Sequence, residues 1–154
     1  MTADVAVRRA RELFLAEGSP YGCAEATFLV LKEAYGLPDS TDPAPAMALN
    51  GGIAYQGGTC GAITGAALAI GMLAQRLVPD HGMAKSTARR TVADLMETFA
   101  ETFGAVDCRR LCGWDLRTPE GHDAFMASGV WRTVCMAQIE FVVRRLADLP
   151  AELL

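Results

Sequence analysis

Apolar residues recur at three- and four-residue steps along most of the chain, a spacing that predicts helices and little else. Over residues 4–17, Ala6, Ala10, Leu13 and Phe14 share one face, and Arg8, Arg9, Arg11 and Glu12 take the others. Gly18 and Ser19-Pro20 stop that helix. A second begins near Gly22, carries a stripe of Ala24, Phe28, Leu31 and Tyr35, and ends at Gly36. LPDSTDPAPA, residues 37–46, contains three prolines and reads as a loop inside one domain. From Met83 to Phe103 the pattern is amphipathic, with Ala88, Val92, Leu95, Met96, Phe99 and Phe103 on one side. VDCRRLCGW predicts a helical turn closed by Gly113, and Thr118-Pro119-Glu120 opens a short helix ending near Gly129. A last helix, 130–146, aligns Trp131, Cys135, Ile139, Val142 and Leu146. No alternating β-branched run or Asn-Gly hairpin interrupts this series. The expected fold class is all-α: a single-domain helical bundle over residues 1–154 around a central apolar helix rich in small residues.

That central helix lies in GGTCGAITGAALAIGMLAQ, residues 57–75, within a stretch free of charge from Asp42 to Arg76. Its continuous apolar part, residues 60–74, would reach roughly 22 Å, short of the ~30 Å hydrocarbon layer, so no membrane span is expected. Gly61, Ala62, Gly65, Ala66 and Ala69 form a small-residue face that lets a neighbour approach backbone to backbone. Each glycine inside a helix costs about 1 kcal/mol relative to alanine, so a close chain segment or a ligand must lie against them.

Composition then narrows the chemistry. Hydrophobic residues make up 51% and charged residues 21%, a globular balance. A net charge of −4 offers no basic stripe for nucleic acid. No basic leader precedes an apolar stretch at the N-terminus, which predicts a cytoplasmic protein without a disulfide scaffold. The five cysteines are then buried small hydrophobes, metal ligands or redox thiols. Cys60, after Gly57-Gly58-Thr59, and Cys23, after Gly22, each stand at a predicted helix N-terminus, where unpaired amides and the helix dipole favour thiolate. Cys108 and Cys112 share a face of one turn, and Cys135 lies on the core stripe of the last helix. There is no CxxC and no CxxCH, which excludes thioredoxin-type motifs and covalent haem. His81 reads as a solvated loop residue, His122 as a surface residue, Trp114 and Trp131 as packing, and Asp115 as a local cap or ion pair. Tyr55-Gln56 stands just before the glycine pair, beside the candidate site.

CGAITG at residues 60–65 resembles the CGAxxG signature of the C_GCAxxG_C_C family of redox-active proteins. CAEA at Cys23 is similar to that family's NCA-type motif, CRRLCGWDL to its C-x-x-L-x-G-x-D-L segment, and VC at Cys135 to its final cysteine. The likeness runs from about residue 5 to 147, in the family's order. Two positions depart from it: Gly22 stands where asparagine is common, and Cys112 where threonine is usual. The resemblance implies that Cys23, Cys60, Cys108 and Cys135 are the family cysteines and names redox chemistry without a substrate. A similar module in split-Soret cytochromes implies an electron-transfer setting.

Two mechanisms follow from four such thiols. In one, Cys23, Cys60, Cys108 and Cys135 hold a metal centre, an iron–sulfur cluster of the [2Fe–2S] kind or zinc, with Gly58, Gly61, Ala62 and Gly65 leaving room for it. In the other, Cys60 attacks or is oxidised and a second thiol such as Cys23 resolves it. The chain would then be an oxidoreductase or an electron carrier with a redox partner protein. A helical module whose groove takes an organic ligand or a partner helix is a third reading. The small-residue faces also suit a homodimer.

Overall fold

The computed structural model describes residues 1–153. Helices α1 (Ala3–Phe14), α2 (Cys23–Ala34), α3 (Gly61–Leu77), α4 (His81–Phe103), α5 (Cys108–Cys112), α6 (Pro119–Ser128), α7 (Met136–Leu146) and α8 (Leu149–Leu153) follow in chain order. A 3-10 turn spans Ala44–Ala46 and a π-helical turn spans Trp131–Cys135. The expected all-α, single-domain class is what forms, around one hydrophobic core. Among the described residues no helix is long and apolar enough to cross a membrane.

The central helix is α3, packed by α2, α4 and α7. Ala62, Ala66, Ala69 and Ile70 are wholly inaccessible, as the small-residue face requires. A methyl group on Gly65 would overlap the Ala24 carbonyl of α2, so the two backbones touch there. On the far side α1 buries Ala6, Val7, Ala10 and Phe14, packing against α7. Arg11–Glu140 at 2.5 Å and Arg144–Asp4 at 2.8 Å frame that contact, exposed pairs that align more than they stabilise. The loop 37–46 is pinned by Lys32. Its ammonium is buried over the Phe28 ring, 4.2 Å from the centroid, and donates to the Asp39 and Asp42 carbonyls at 2.5 and 2.7 Å.

Four features differ from the pattern read in the sequence. His81 is the first residue of α4 rather than a loop residue, because Asp80 caps the helix by accepting the Met83 N–H at 2.8 Å. The last helix is not uniform: residues 131–135 open into a π turn before α7 begins. Helix α8 adds a short C-terminal element. Residues 51–55 form a left-handed turn, with φ of 66, 73, 67, 50 and 62° at Gly51, Gly52, Ile53, Ala54 and Tyr55. Bonds from Tyr55 N–H to Asn50 O (3.1 Å), Gly57 N–H to Gly51 O (3.1 Å) and Gly58 N–H to Gly52 O (2.9 Å) hold it. For non-glycine residues this conformation costs roughly 1–2 kcal/mol each.

Two substitutions test these backbone constraints by urea unfolding. Gly65→Ala must push α2 from α3 and is expected to lower stability by about 2–3 kcal/mol. Unchanged stability would mean the helices do not touch at Gly65. Ala54→Gly, at an exposed position, is expected to raise stability by about 1 kcal/mol through relief of the left-handed strain. A loss of stability would refute that strain.

Candidate functional site

The N-termini of α2, α3 and α5 converge at one end of the bundle, each bringing a cysteine. Backbone bonds tie α3 to α5. Cys60 N–H donates to Val106 O at 2.8 Å, Cys108 N–H to Gly58 O at 2.7 Å and Arg109 N–H to Gly57 O at 3.2 Å, around an isolated antiparallel bridge between Thr59 and Asp107. The second tie, α2 to α3, is at Gly61. A methyl there would overlap the Cys23 sulfur, so that sulfur rests on the glycine. Cys135 comes from the π turn, whose extra residue per turn widens the helix where Trp131 and Cys135 face the same cavity.

Gly22 is the N-cap of α2 and has no side chain to satisfy the first amides. Asn50 does it from across the fold. Its Oδ1 accepts the Ala24 N–H at 2.9 Å and the Glu25 N–H at 3.4 Å, and its carboxamide lies where a side chain on residue 22 would be. Glu25 closes the network, accepting Gly22 N–H at 3.0 Å and Asn50 Nδ2–H at 2.7 Å. The asparagine that the resemblance leads one to expect at position 22 is thus replaced in function by Asn50 from a distant loop. Its place fixes the first turn of α2 and therefore the sulfur of Cys23.

All five thiols are free. Cys23, Cys108 and Cys135 line a cavity of about 370 Å³, with Phe14, Tyr21, Tyr55, Leu116, His122, Phe125, Met126 and Trp131 among its walls. Cys60 is not on the cavity surface; it is buried behind it, its thiol 3.7 Å from Gln138 Oε1. Burial pushes the Cys60 thiol up to about 12, against the pull of the Ala62 and Ile63 amides. Burial likewise raises Cys23, although the Gly51, Ala24 and Gly61 amides face its sulfur, and it raises Cys135. Cys108 and Cys112, neighbours on one turn of α5, shift each other in opposite directions, Cys108 up and Cys112 down, and the Cys112 thiol donates to Trp114 O at 3.5 Å. The Trp114 N–H, 3.4 Å from the Cys112 sulfur, helps to lower it. Negative charge on Cys23 or Cys112 would raise both Cys60 and Cys135 further, so the thiols lie within electrostatic reach of one another.

The expectation of thiolates at Cys60 and Cys23 meets an opposing effect: desolvation pushes both thiols up, against the amides of the helix termini. The glycines also do something other than leave room. Gly61 and Gly65 are filled by α2, Ala62 is in the core, and Gly58 bonds Cys108; none of the four lines the cavity. Among the described residues, no group of three or more His, Cys, Asp or Glu side chains is arranged to hold a metal ion.

Several contributors were not singled out from sequence. Gln138 is a polar residue at the buried face of α7, 3% exposed, and its intrusion into an apolar stripe three residues after Cys135 was the available signal. Asn50 left none, because it acts from a loop. His122, read as a surface residue, is half-buried on the cavity wall with its ring 5.0 Å from that of Tyr55. Trp131 both packs on Phe14 and lines the cavity, its indole N–H donating to Met126 O at 3.1 Å.

The borrowed cap is open to a double substitution. Asn50→Ala is expected to cost about 1–2 kcal/mol of stability, as lost N-caps do. Adding Gly22→Asn to that variant should restore most of it, whereas Gly22→Asn alone, colliding with Asn50, should destabilise. Additive losses in the double variant would refute the exchange.

No curated protein and no solved structure matches the chain. Residues 21–149 of the 154 match the family described as "Putative redox-active protein (C_GCAxxG_C_C)". That span takes in every cysteine, the borrowed cap of α2, the left-handed turn and the π turn. The chain that draws its thiols together in this way belongs to the C_GCAxxG_C_C family of redox-active proteins.

Proposed function

We propose that the chain performs two-electron thiol–disulfide chemistry at the cysteine-lined cavity, with Cys108 and Cys112 as the exchanging pair. The observation that carries this reading is their placement: Cys108 and Cys112 stand four apart on a single helical turn, Cys108 on the cavity wall and Cys112 buried. Side chains four apart on a helix have Cβ atoms about 5–6 Å apart, and a disulfide needs about 3.5–4.5 Å. The bond therefore requires this five-residue helix to distort from regular α geometry. The lowered thiol, Cys112, supplies the attacking sulfur, and Cys108 opens onto the cavity where an oxidant arrives. Cys60 and Cys23, the pair expected from sequence, are poor attackers because burial keeps them protonated.

A second reading has an observation of its own. Backbone amides of Gly51, Ala24 and Gly61 face the Cys23 sulfur, and those of Ala62 and Ile63 the Cys60 sulfur. Such donors stabilise sulfur that has lost its proton to a metal. In this reading Cys23, Cys60, Cys108 and Cys135 would hold a [2Fe–2S] centre or zinc. When bound, the iron–sulfur group supplies one-electron transfer.

Anaerobic purification followed by iron and zinc analysis, visible absorption and thiol counting separates the readings. The thiol reading expects metal-free protein whose five free thiols fall by two on mild peroxide treatment. The new disulfide should map to Cys108–Cys112, reverse with a dithiol, and be lost in Cys112→Ser. Stoichiometric iron with visible absorption bleached on reduction, lost in Cys60→Ser and kept in Cys112→Ser, would replace it with the cluster.

A further inference from the structure

The cavity beside Cys108 is larger than a thiol pair needs, and its walls select a kind of occupant. Its volume of about 370 Å³ lies in the ~300–1,000 Å³ range of small-molecule sites. Flat aromatic surfaces dominate it: Phe14, Tyr55, Phe125 and Trp131. No lysine or arginine lines it, so nothing there would neutralise a phosphate or carboxylate. The one charged lining residue, Glu25, already spends its carboxylate on Gly22 N–H and Asn50. The occupant is therefore neutral and flat. Tyr21, Tyr55 and His122 supply hydroxyl and ring N–H donors at the wall, which suit carbonyl oxygens. Tyr55 is also the last residue of the left-handed turn, its ring tilted 58° to that of His122. Strain of that kind, concentrated at a cavity rim, is where a fold stores conformational cost for a site.

We propose that this cavity binds a one- or two-ring quinone, held flat against Tyr55 and Trp131, and that the quinone oxidises the Cys108–Cys112 pair. The proposal rests on the thiol reading above. In the step, the S–H bonds of Cys108 and Cys112 break and one S–S bond forms. The two electrons and two protons released pass to the quinone's two carbonyl oxygens, giving the hydroquinone.

Duroquinone is the probe, because all its ring carbons carry methyl groups and a thiol has no free ring position to add to. Reduced full-length protein is mixed with it anaerobically. The expected result is one hydroquinone formed per chain, with saturation in quinone concentration and a mapped Cys108–Cys112 disulfide. Met126→Trp, which fills the cavity, should slow the quinone reaction at least tenfold more than it slows oxidation by hydrogen peroxide. Tyr55→Ala, at the exposed rim, should shift the same ratio in the same direction if Met126→Trp fails to fold. A Cys108–Cys112 disulfide made by peroxide but not by duroquinone overturns the quinone site and leaves the thiol reading standing. Non-saturating oxidation, equal in wild type and Met126→Trp, overturns it as well. No disulfide with either oxidant removes the thiol reading and this proposal with it.

Discussion

The structure depends on how closely α2 can approach α3. Where Gly65 lies against the Ala24 carbonyl and Gly61 against the Cys23 sulfur, the space of two missing methyl groups sets the helix separation. Everything at the site follows from that distance. The first turn of α2 comes within reach of Asn50 on the loop before α3, and Cys23 comes to rest beside Cys60. The bridge from residues 57–60 to 106–109 then places α5 with Cys108 and Cys112 on the same end. The glycines lose about 1 kcal/mol each as helix formers. A side chain at Gly65 would push against the Ala24 backbone, and one at Gly61 would displace the Cys23 sulfur.

Two opposed electrostatic effects meet at these sulfurs, and their sizes decide the resting state. A helix N-terminus favours a nearby negative charge by roughly 0.3–1 kcal/mol, and up to about 2 in partly buried positions. Removing an ion from water without a counter-charge costs several kcal/mol. For Cys60, which is 4% exposed and has no cation beside it, burial wins. Cys112 is pulled the other way by its neighbour Cys108 and by the Trp114 backbone amide, 3.4 Å from its sulfur. A local hydrogen bond lowers a thiol where a distant dipole does not. The thiols thus divide into four that are pushed up and one, Cys112, that is pulled down.

This division explains what sequence made legible. Helical periodicity located α1 and α4 because each has a polar and an apolar face, a contrast that survives tertiary packing; α2 showed a stripe although it is buried on most sides, and α6 was marked by its Thr118-Pro119 start. The small-residue face of α3 marked a close approach, though not what approached: α2 backbone and a cysteine sulfur occupied the space that was expected for a cofactor. The N-terminal positions of Cys23 and Cys60 were equally visible, but their burial depends on how other elements close over them. Asn50, Gln138 and the Tyr55–His122 contact act across the fold from loops and stripes with no local signature. The π turn was hidden for a related reason. Trp131, Cys135 and Ile139 keep a helical spacing in either form, and only the cavity shows which is adopted.

The costs in this chain are not spread evenly. The face where α1 meets α7 is regular: an amphipathic stripe, a side-chain cap from Thr2 and rim ion pairs. At the cysteine end, a left-handed turn carries three non-glycine residues, a helix takes its cap from a distant loop, and a π turn opens the last long helix. A buried glutamine also faces a thiol there. Each departs from the locally favoured choice, and each positions a cysteine or a wall of the cavity beside it. Where local preference and global fold disagree this consistently in one place, function is the reason that selection tolerates the disagreement. The regular half of the bundle supplies the stability that lets the other half hold its sulfurs, its strain and its open space together.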